Sequence, residues 1–359
     1  MRDDRLKDDE MLQCLKMIAP GTSLREGLEN VLKAKTGGLI VFGDSQDVMK
    51  LVDGGFYINC DFSPALLYEL AKMDGAIIMS SDGKRILHAN TQLIPDASIP
   101  SSETGIRHRT AERVSRQTGE LVISISQRRH IITIYKGYFK YILRDLGIIL
   151  TKANQALQTL TKYKSVLEKA LNSLSALEFD DMVTVTDVAY VIQKNEMVIR
   201  IIEEVEKYIY ELGIEGRLVS MQLDELAAGI KDEELMMIMD YISQEEIKNY
   251  KEKIRLLRNL SSDELLDLTS ITKIMNIGSN INTLDVPIFT RGYRILNKIP
   301  RLPMTIIENL VTSFPKLQMI MSATIEELDN VEGIGEVRAR TIKEGLKRIF
   351  EQVNTDRNI

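Results

Sequence analysis

Apolar and polar positions change rhythm along this chain, and the changes mark its organisation. From Met1 to about Tyr141, short runs rich in branched residues are bounded by Gly, Asp and Ser, which is how strands are punctuated. These runs are Gly38 to Phe42, Phe56 to Ile58, Ala76 to Ser80, Leu121 to Ser126 and Ile131 to Tyr135. Ahead of them, Ser23-x-x-Glu26 reads as a capping box opening a helix that ends near Lys35. The pattern predicts an α/β domain over residues 1–141, a mixed sheet flanked by helices.

The rhythm then turns helical. From about Ile142 to Leu266 there is no proline, and Leu157, Leu160, Leu167, Leu171 and Leu174 fall on one helical face. This predicts an all-α connector over residues 142–285, its leucines packed between helices. Beyond it, Ile299-Pro300-Arg301-Leu302-Pro303 is followed by Val331-Glu332-Gly333-Ile334-Gly335. Two related hairpins are expected in a third domain, residues 286–359, the first of them degenerate.

Composition narrows the function. A chain of 359 residues with 44% hydrophobic content has room for more than one core, hence for more than one task. The net charge of −6 excludes a surface that is basic all over, so any nucleic-acid contact must be local. Cys14 and Cys60 are the only cysteines, which excludes a disulfide framework and a cysteine metal site. The N-terminus carries charges of both signs, and no stretch approaches the roughly 18 apolar residues of a membrane span. A cytoplasmic protein with no membrane partner is expected.

Two clusters can carry chemistry. Asp74-Gly75-Ala76 runs into a predicted strand, and Thr104-Gly105-Ile106-Arg107-His108-Arg109-Thr110-Ala111-Glu112 opens a predicted helix. Arginines at a helix start suit phosphate: free backbone N–H groups and the positive end of the helix dipole meet guanidinium forks that bind phosphate oxygens bidentately. Salt bridges from these arginines to Glu103 or Glu112 are the alternative, and the segment alone leaves both open. His88 and His130 have no partner at metal-ligand spacing. Thr36-Gly37-Gly38 and Gly54-Gly55 lack the Gly-Lys-Ser/Thr ending of a phosphate loop and read as turns.

Asp74-Gly75-Ala76, the Arg107-His108-Arg109 triplet and Ser124-Ile125-Ser126-Gln127-Arg128-Arg129 together resemble the diadenylate cyclase domain. With the C-terminal hairpins, the resemblance to bacterial DNA integrity scanning proteins covers essentially the whole chain. It implies ATP as substrate, cyclic di-AMP and pyrophosphate as products, Mg²⁺ or Mn²⁺, and a homo-octamer whose cyclase domains meet face to face. The catalytic residues it implies are Asp74, Arg107, His108 and Arg109. Asp74 is the candidate metal ligand and proton acceptor, since a hard oxygen suits these ions bound together with phosphates. Gly75, Ala76, Leu93, Arg107, His108, Arg109, Thr110 and Ser126 would bind ATP, with Gly75 and Leu93 meeting adenine through their backbones. One departure is Ile106, where the family motif usually has a threonine, which leaves open whether a hydroxyl contact to substrate is made there.

At the other end, Gly333-Ile334-Gly335 followed by Val337-Arg338-Ala339-Arg340-Thr341-Ile342-Lys343 has the form of a helix-hairpin-helix element, whose backbone N–H groups approach a DNA phosphate. Gly333, Gly335, Arg338, Arg340 and Lys343 are the candidate DNA-binding residues. From Val331 to Arg348 five basic residues face three acidic ones, so the contact is expected to be sequence-independent. Several copies in an oligomer would favour branched DNA, and the whole would act as a DNA-integrity checkpoint. The alternative is a nucleotide-sensing DNA-binding protein without turnover. A phosphohydrolase is disfavoured because clustered His and Asp ligands are missing.

Overall fold

Every residue of the first strand, β1 (Gly38–Phe42), is buried, because helices cover both faces of its sheet. Neighbouring side chains of a strand point to opposite faces. Ile40 and Phe42 therefore join one core with Leu24, Leu28 and Val31 of α1 (Ser23–Lys33), while Leu39 and Val41 join a second. The computed structural model describes residues 13–243, 246–278 and 283–357. The chain forms two units, residues 1–154 with 206–220 and residues 155–205 with 221–359.

In the first unit the remaining strands are β2 (Val52–Asp53), β3 (Phe56–Asp61), β4 (Ala76–Met79), β5 (Arg85–Leu93), β6 (Leu121–Ser126), β7 (Ile131–Lys136) and β8 (Phe139–Ile142). They stand in the order β2-β5-β4-β1-β6-β7-β8, with β3 also paired to β5. β1 and β4 run parallel; the other pairs are antiparallel. This arrangement decides which loops meet. The starts of β1 and β4 lie at one end of the sheet, Leu39 facing Ala76. The ends of β5 and β6 lie there too, Thr91 facing Ala76 and Ile125 facing Gly38.

Three further helices complete the layers: α2 (Gln46–Met49), α3 (Pro64–Leu70) and α4 (Ile106–Thr118). Leu67 and Leu70 of α3 enter the first core; Ala111 and Val114 of α4 enter the second with Val48 of α2. The expected α/β domain with a mixed sheet is present, as are all five expected strands. The capping box expected at Ser23 is not. Thr22 is extended and its hydroxyl accepts from Arg25 N at 3.2 Å, so the cap falls one residue earlier, and the helix ends at Lys33.

Helices then dominate, beginning with α5 (Leu146–Asp180), α6 (Val185–Leu212), α7 (Arg217–Ala227) and α8 (Ile230–Tyr241). Leu157, Leu160, Leu167 and Leu174 of α5 are buried, as their spacing predicts, and Leu171 is half-buried. After α9 (Tyr250–Arg258), α10 (Ser262–Leu266) and α11 (Leu268–Met275) come two helix pairs. The first is α12 (Tyr293–Asn297) with α13 (Met304–Ser313). A short helix, α14 (Leu317–Ser322), precedes the second pair, α15 (Ile325–Asp329) with α16 (Glu336–Arg357).

The two pairs share one turn. Leu302 N donates to Ile299 O at 3.3 Å, and Ile334 N donates to Val331 O at 3.0 Å. Gly333 has φ +78°, and Arg301 occupies the matching position with φ +61°. The expected degeneracy of the first hairpin is therefore one of sequence, not of backbone. Both pairs bury their apolar faces in a core that also holds Ala176 and Phe179 of α5 and Met236 and Met239 of α8.

A buried polar cluster lies in the same unit. Arg294 is 1% exposed and donates to Ser175 Oγ at 3.0 Å and to the Glu178 carboxylate. Tyr241 donates to Glu178 at 2.6 Å. Asp240 accepts the backbone N–H groups of Gly292, Tyr293 and Arg294, at 2.7, 2.6 and 3.0 Å, which caps the start of α12.

Candidate functional site

The sheet end where β1 and β4 start and β5 and β6 finish gathers the residues picked out in the sequence. Gly75 has φ +124°, and a Cβ there would lie 2.9 Å from Asn90 Cα, so both backbone and space demand glycine. The turn it makes puts the Asp74 side chain fully into solvent, where Oδ1 accepts from Arg107 Nη2 at 3.2 Å. Ala76 is buried in β4, its carbonyl taking a hydrogen bond from Thr91 Oγ1 at 3.0 Å. Leu93, also buried, ends β5 opposite Val52.

Arg107 arrives from α4. Gly105 is the N-cap of this helix and offers no side-chain cap, and the first backbone bond runs from Arg109 N to Gly105 O at 2.9 Å. The N–H groups of Ile106, Arg107 and His108 are thus left at the positive end of the helix dipole, an arrangement that attracts anions. Ile106 is 82% exposed at this tip.

The salt bridges to Glu103 or Glu112 that the segment left open do not form. Arg107 pairs with Asp74, and Arg109 donates to the carbonyls of Glu103 and Thr104, at 3.3 and 3.5 Å. Glu112 is engaged by Arg116, Ser101 and Ser102 N. Glu103 is buried and accepts from Tyr135 OH at 2.9 Å and from Lys140. Arg113 and Arg116 hold the carbonyls of Ile99 and Pro100. The loop before α4 is therefore clamped to the flank of that helix, which fixes the position of its tip.

His108 points inward. Its Nδ1 lies 3.2 Å from Ser124 Oγ, and its buried Nε2 has no protein partner. Burial pushes its pKa below the ordinary histidine value; the Glu103 carboxylate opposes this, while Arg129 and Lys140 add to it. For Glu103, burial works upward, but the hydrogen bonds from Lys140 and Tyr135 and the Lys140 charge outweigh it and lower the pKa.

Thr110 is half-buried on the first turns of α4. Ser126 ends β6, and its hydroxyl accepts from Arg129 N at 3.1 Å, closing the turn to β7. Asp74 is the one exposed carboxylate brought against the triplet, and the described residues hold no group of three or more His, Cys, Asp or Glu side chains that could grip a metal. The sequence reading missed Gly37, set aside as a turn residue: it lies against the Arg107 guanidinium.

In the second unit the turns of the two helix pairs line one groove of about 600 Å³, formed by Pro300–Leu302 from the first and Gly335–Arg338 with Thr341 from the second. Gly333 and Gly335 are exposed, and so are Arg338 and Arg340. Arg338 bends back onto Gly333 O, and Arg340 pairs with Glu336 at 2.7 Å. Lys343 is placed differently. Its ammonium donates to Met321 O and Ala323 O, at 2.6 and 2.7 Å, and so caps the end of α14. Arg301, which the sequence reading did not select, stands on the groove.

Two family models match the chain: the nucleotide-binding region of the DisA bacterial checkpoint controller over residues 25–138, and the linker region of the same controller over residues 143–284. The DNA integrity scanning protein DisA of Carboxydothermus hydrogenoformans is 60% identical over 349 residues, 97% of this chain and 99% of that protein. The chain belongs to the DisA family. Its DisA relative in Acetivibrio thermocellus is 58% identical over 353 residues, 98% of each chain. All the ATP-site candidates fall inside the DisA nucleotide-binding match. A solved structure of DacA from Staphylococcus aureus is also similar, at 23% identity and a TM-score of 0.30, over 39% of this chain and 90% of that one. Among the described residues no helix is long and apolar enough to cross a membrane.

Proposed function

We propose that this member of the DisA family is a diadenylate cyclase, condensing two ATP molecules into cyclic di-AMP with release of two pyrophosphates, and that its hairpins bind DNA. The observation that carries the first half is the meeting of the Asp74 carboxylate with Arg107 at the uncapped tip of α4, inside a nucleotide-binding domain. The 3′-hydroxyl of each ATP attacks the α-phosphorus of the other, a P–O bond forms, and the bond to pyrophosphate breaks in line. Such chemistry needs positioning and charge neutralisation rather than a protein nucleophile.

Arg107, Arg109 and the N–H groups of the α4 tip bind phosphate oxygens; Asp74 accepts the proton of the 3′-hydroxyl. His108, held by Ser124, braces the tip, while Thr110 and Ser126 offer hydroxyls to the phosphates. Gly75, Ala76 and Leu93, on adjacent strands, border the adenine. The donor set fits Mg²⁺ or Mn²⁺ only as an ion shared with substrate, because Asp74 is a single carboxylate with one oxygen already facing Arg107. An ion held by Asp74 and the triphosphates would supply charge neutralisation.

Each ATP is both attacker and target, so the reading requires two cyclase domains face to face, within a homo-octamer working in the cytoplasm. The groove between the two hairpin turns, lined by Arg301 and Arg338, with Arg340 exposed on the same helix as Arg338 and Gly333 and Gly335 baring their backbones, would take DNA phosphates without reading sequence. Copies arrayed in an oligomer favour branched DNA, coupling the cyclase to a DNA-integrity checkpoint. Incubating the pure protein with ATP and Mn²⁺ and identifying the product by mass spectrometry tests the activity. ATP binding without product would support a nucleotide sensor instead. Mixing wild-type chains with Asp74→Asn chains tests the shared site: activity should fall faster than the mutant fraction rises, and a linear fall would point to independent sites.

A further inference from the structure

Gly37 has no backbone reason to be glycine. It sits just before β1, is buried, and its φ lies outside the left-handed region, so an alanine could adopt its conformation. What excludes a side chain is a neighbour. A Cβ at Gly37 would fall 1.9 Å from Arg107 Nη1 and 3.0 Å from its Cζ, with Ile125 O at 3.3 Å. At Gly38, the next residue, the nearest atom is an ordinary 3.5 Å away. The main obstacle at Gly37 is thus the far end of one flexible side chain, and that end also donates to Asp74.

We propose that Gly37 is a positioning residue: its missing side chain leaves the space in which the Arg107 guanidinium lies, and so aims Arg107 at substrate phosphate. This rests on the reading of Arg107 as a phosphate ligand. The guanidinium is held from two sides, by the bare backbone of Gly37 near the end of β6 and by the Asp74 carboxylate. Any side chain at Gly37 pushes it outward, which moves the phosphate-binding fork and takes the cation away from Asp74. Arg107 is the one arginine of the triplet fixed in this way; Arg109 is held by carbonyls of its own loop.

The test is a double-mutant cycle on the full-length protein, reading the dissociation constant of 3′-deoxy-ATP, which binds but cannot attack. Gly37→Ala should weaken binding about tenfold, the scale of one displaced charged contact. Arg107→Ala should weaken it at least as much. The double variant should be no worse than Arg107→Ala, because only Ile125 O then faces the Cβ, at 3.3 Å, a contact that a shift of a few tenths of an ångström relieves. Wild-type affinity in Gly37→Ala, or full additivity in the double variant, would overturn the proposal. If Gly37→Ala melts lower, the double variant should recover the wild-type melting temperature; failure to recover would equally overturn it, since the obstacle would then not be the guanidinium. Normal binding by Arg107→Ala alone would instead overturn the phosphate reading of Arg107.

Discussion

Arg107 reaches from the tip of one helix to Asp74 at the start of a strand, Nη2 to Oδ1 at 3.2 Å, and the Asp74 side chain is otherwise wholly in water. An exposed pair of this kind contributes little to stability. Asp74→Asn should therefore leave the melting temperature and DNA affinity unchanged while cutting cyclic di-AMP formation by roughly a hundredfold or more, the scale on which loss of a positioned proton acceptor is felt. Product formation near the wild-type rate by the folded variant would remove Asp74 from the chemistry.

His108 should titrate below the ordinary histidine value in an NMR titration of its ring protons. Burial drives that shift and Glu103 opposes it, so Glu103→Gln should lower the midpoint further, with Arg129 and Lys140 still pressing in the same direction. A folded-state pKa below the unfolded one gives a stability contribution that is full above the unfolded value and lost as pH falls through the folded one. A midpoint that rises in Glu103→Gln would mean that the carboxylate does not face the ring in solution.

The basic residues of the last helix should separate by role. Lys343→Ala removes two hydrogen bonds to carbonyls and should cost about 1 kcal/mol of stability, measured by denaturant unfolding, without changing how DNA affinity depends on salt. Arg338→Ala or Arg340→Glu should weaken DNA binding and reduce the slope of log affinity against log salt by about 1 per lost phosphate contact. Gly333→Leu should weaken it too, because its φ of +78° opposes a side chain and a Cβ there would lie 2.8 Å from Ile306 Cδ1. Equal salt slopes in all these variants would contradict the assignment.

Arg294→Met should destabilise the second unit by about 3–5 kcal/mol, the usual cost of stripping the cation from a buried pair. Glu178 loses its charged partner and Asp240, whose pKa is already raised by burial and by Glu178, loses a nearby cation. A carboxyl with a raised folded pKa, as Asp240 has, favours folding at low pH and loses that contribution as pH rises through the folded value. The variant's deficit in melting temperature should accordingly be larger at pH 8 than at pH 5, and a deficit independent of pH would show the cluster to be indifferent to charge.

What could be seen in the sequence was whatever repeats at short range. The apolar runs Gly38–Phe42 and Ala76–Met79 announce strands covered on both faces, and the buried leucines of α5 recur at helical spacing. β5 does not announce itself by an apolar run. His88, Asn90 and Gln92 alternate with Ala89, Thr91 and Leu93, Asn90 takes φ +53°, and β3 and β4 pair with it across bulges. In the candidate site, the Asp74 turn and the Arg107 triplet stand out as clusters, but their meeting depends on the parallel pairing of β1 with β4, a long-range fact. Gly37 is invisible for the same reason, since its importance lies in a side chain that arrives from far along the chain. Arg301 shows the converse: an arginine where its sister turn has glycine conceals that both turns bend alike.

The interior of the hairpins is not wholly their own. Phe179 and Ala176 at the end of α5 and Met236 and Met239 of α8 fill the same apolar space as Leu310, Ile320 and Ile342, and Phe179 meets Phe350 edge-on with ring centres 5.3 Å apart. A fragment beginning at residue 286 would open that part of its core to water. Anyone wishing to lend this tail to another protein would have to carry the last turns of α5 and the whole of α8 along with it.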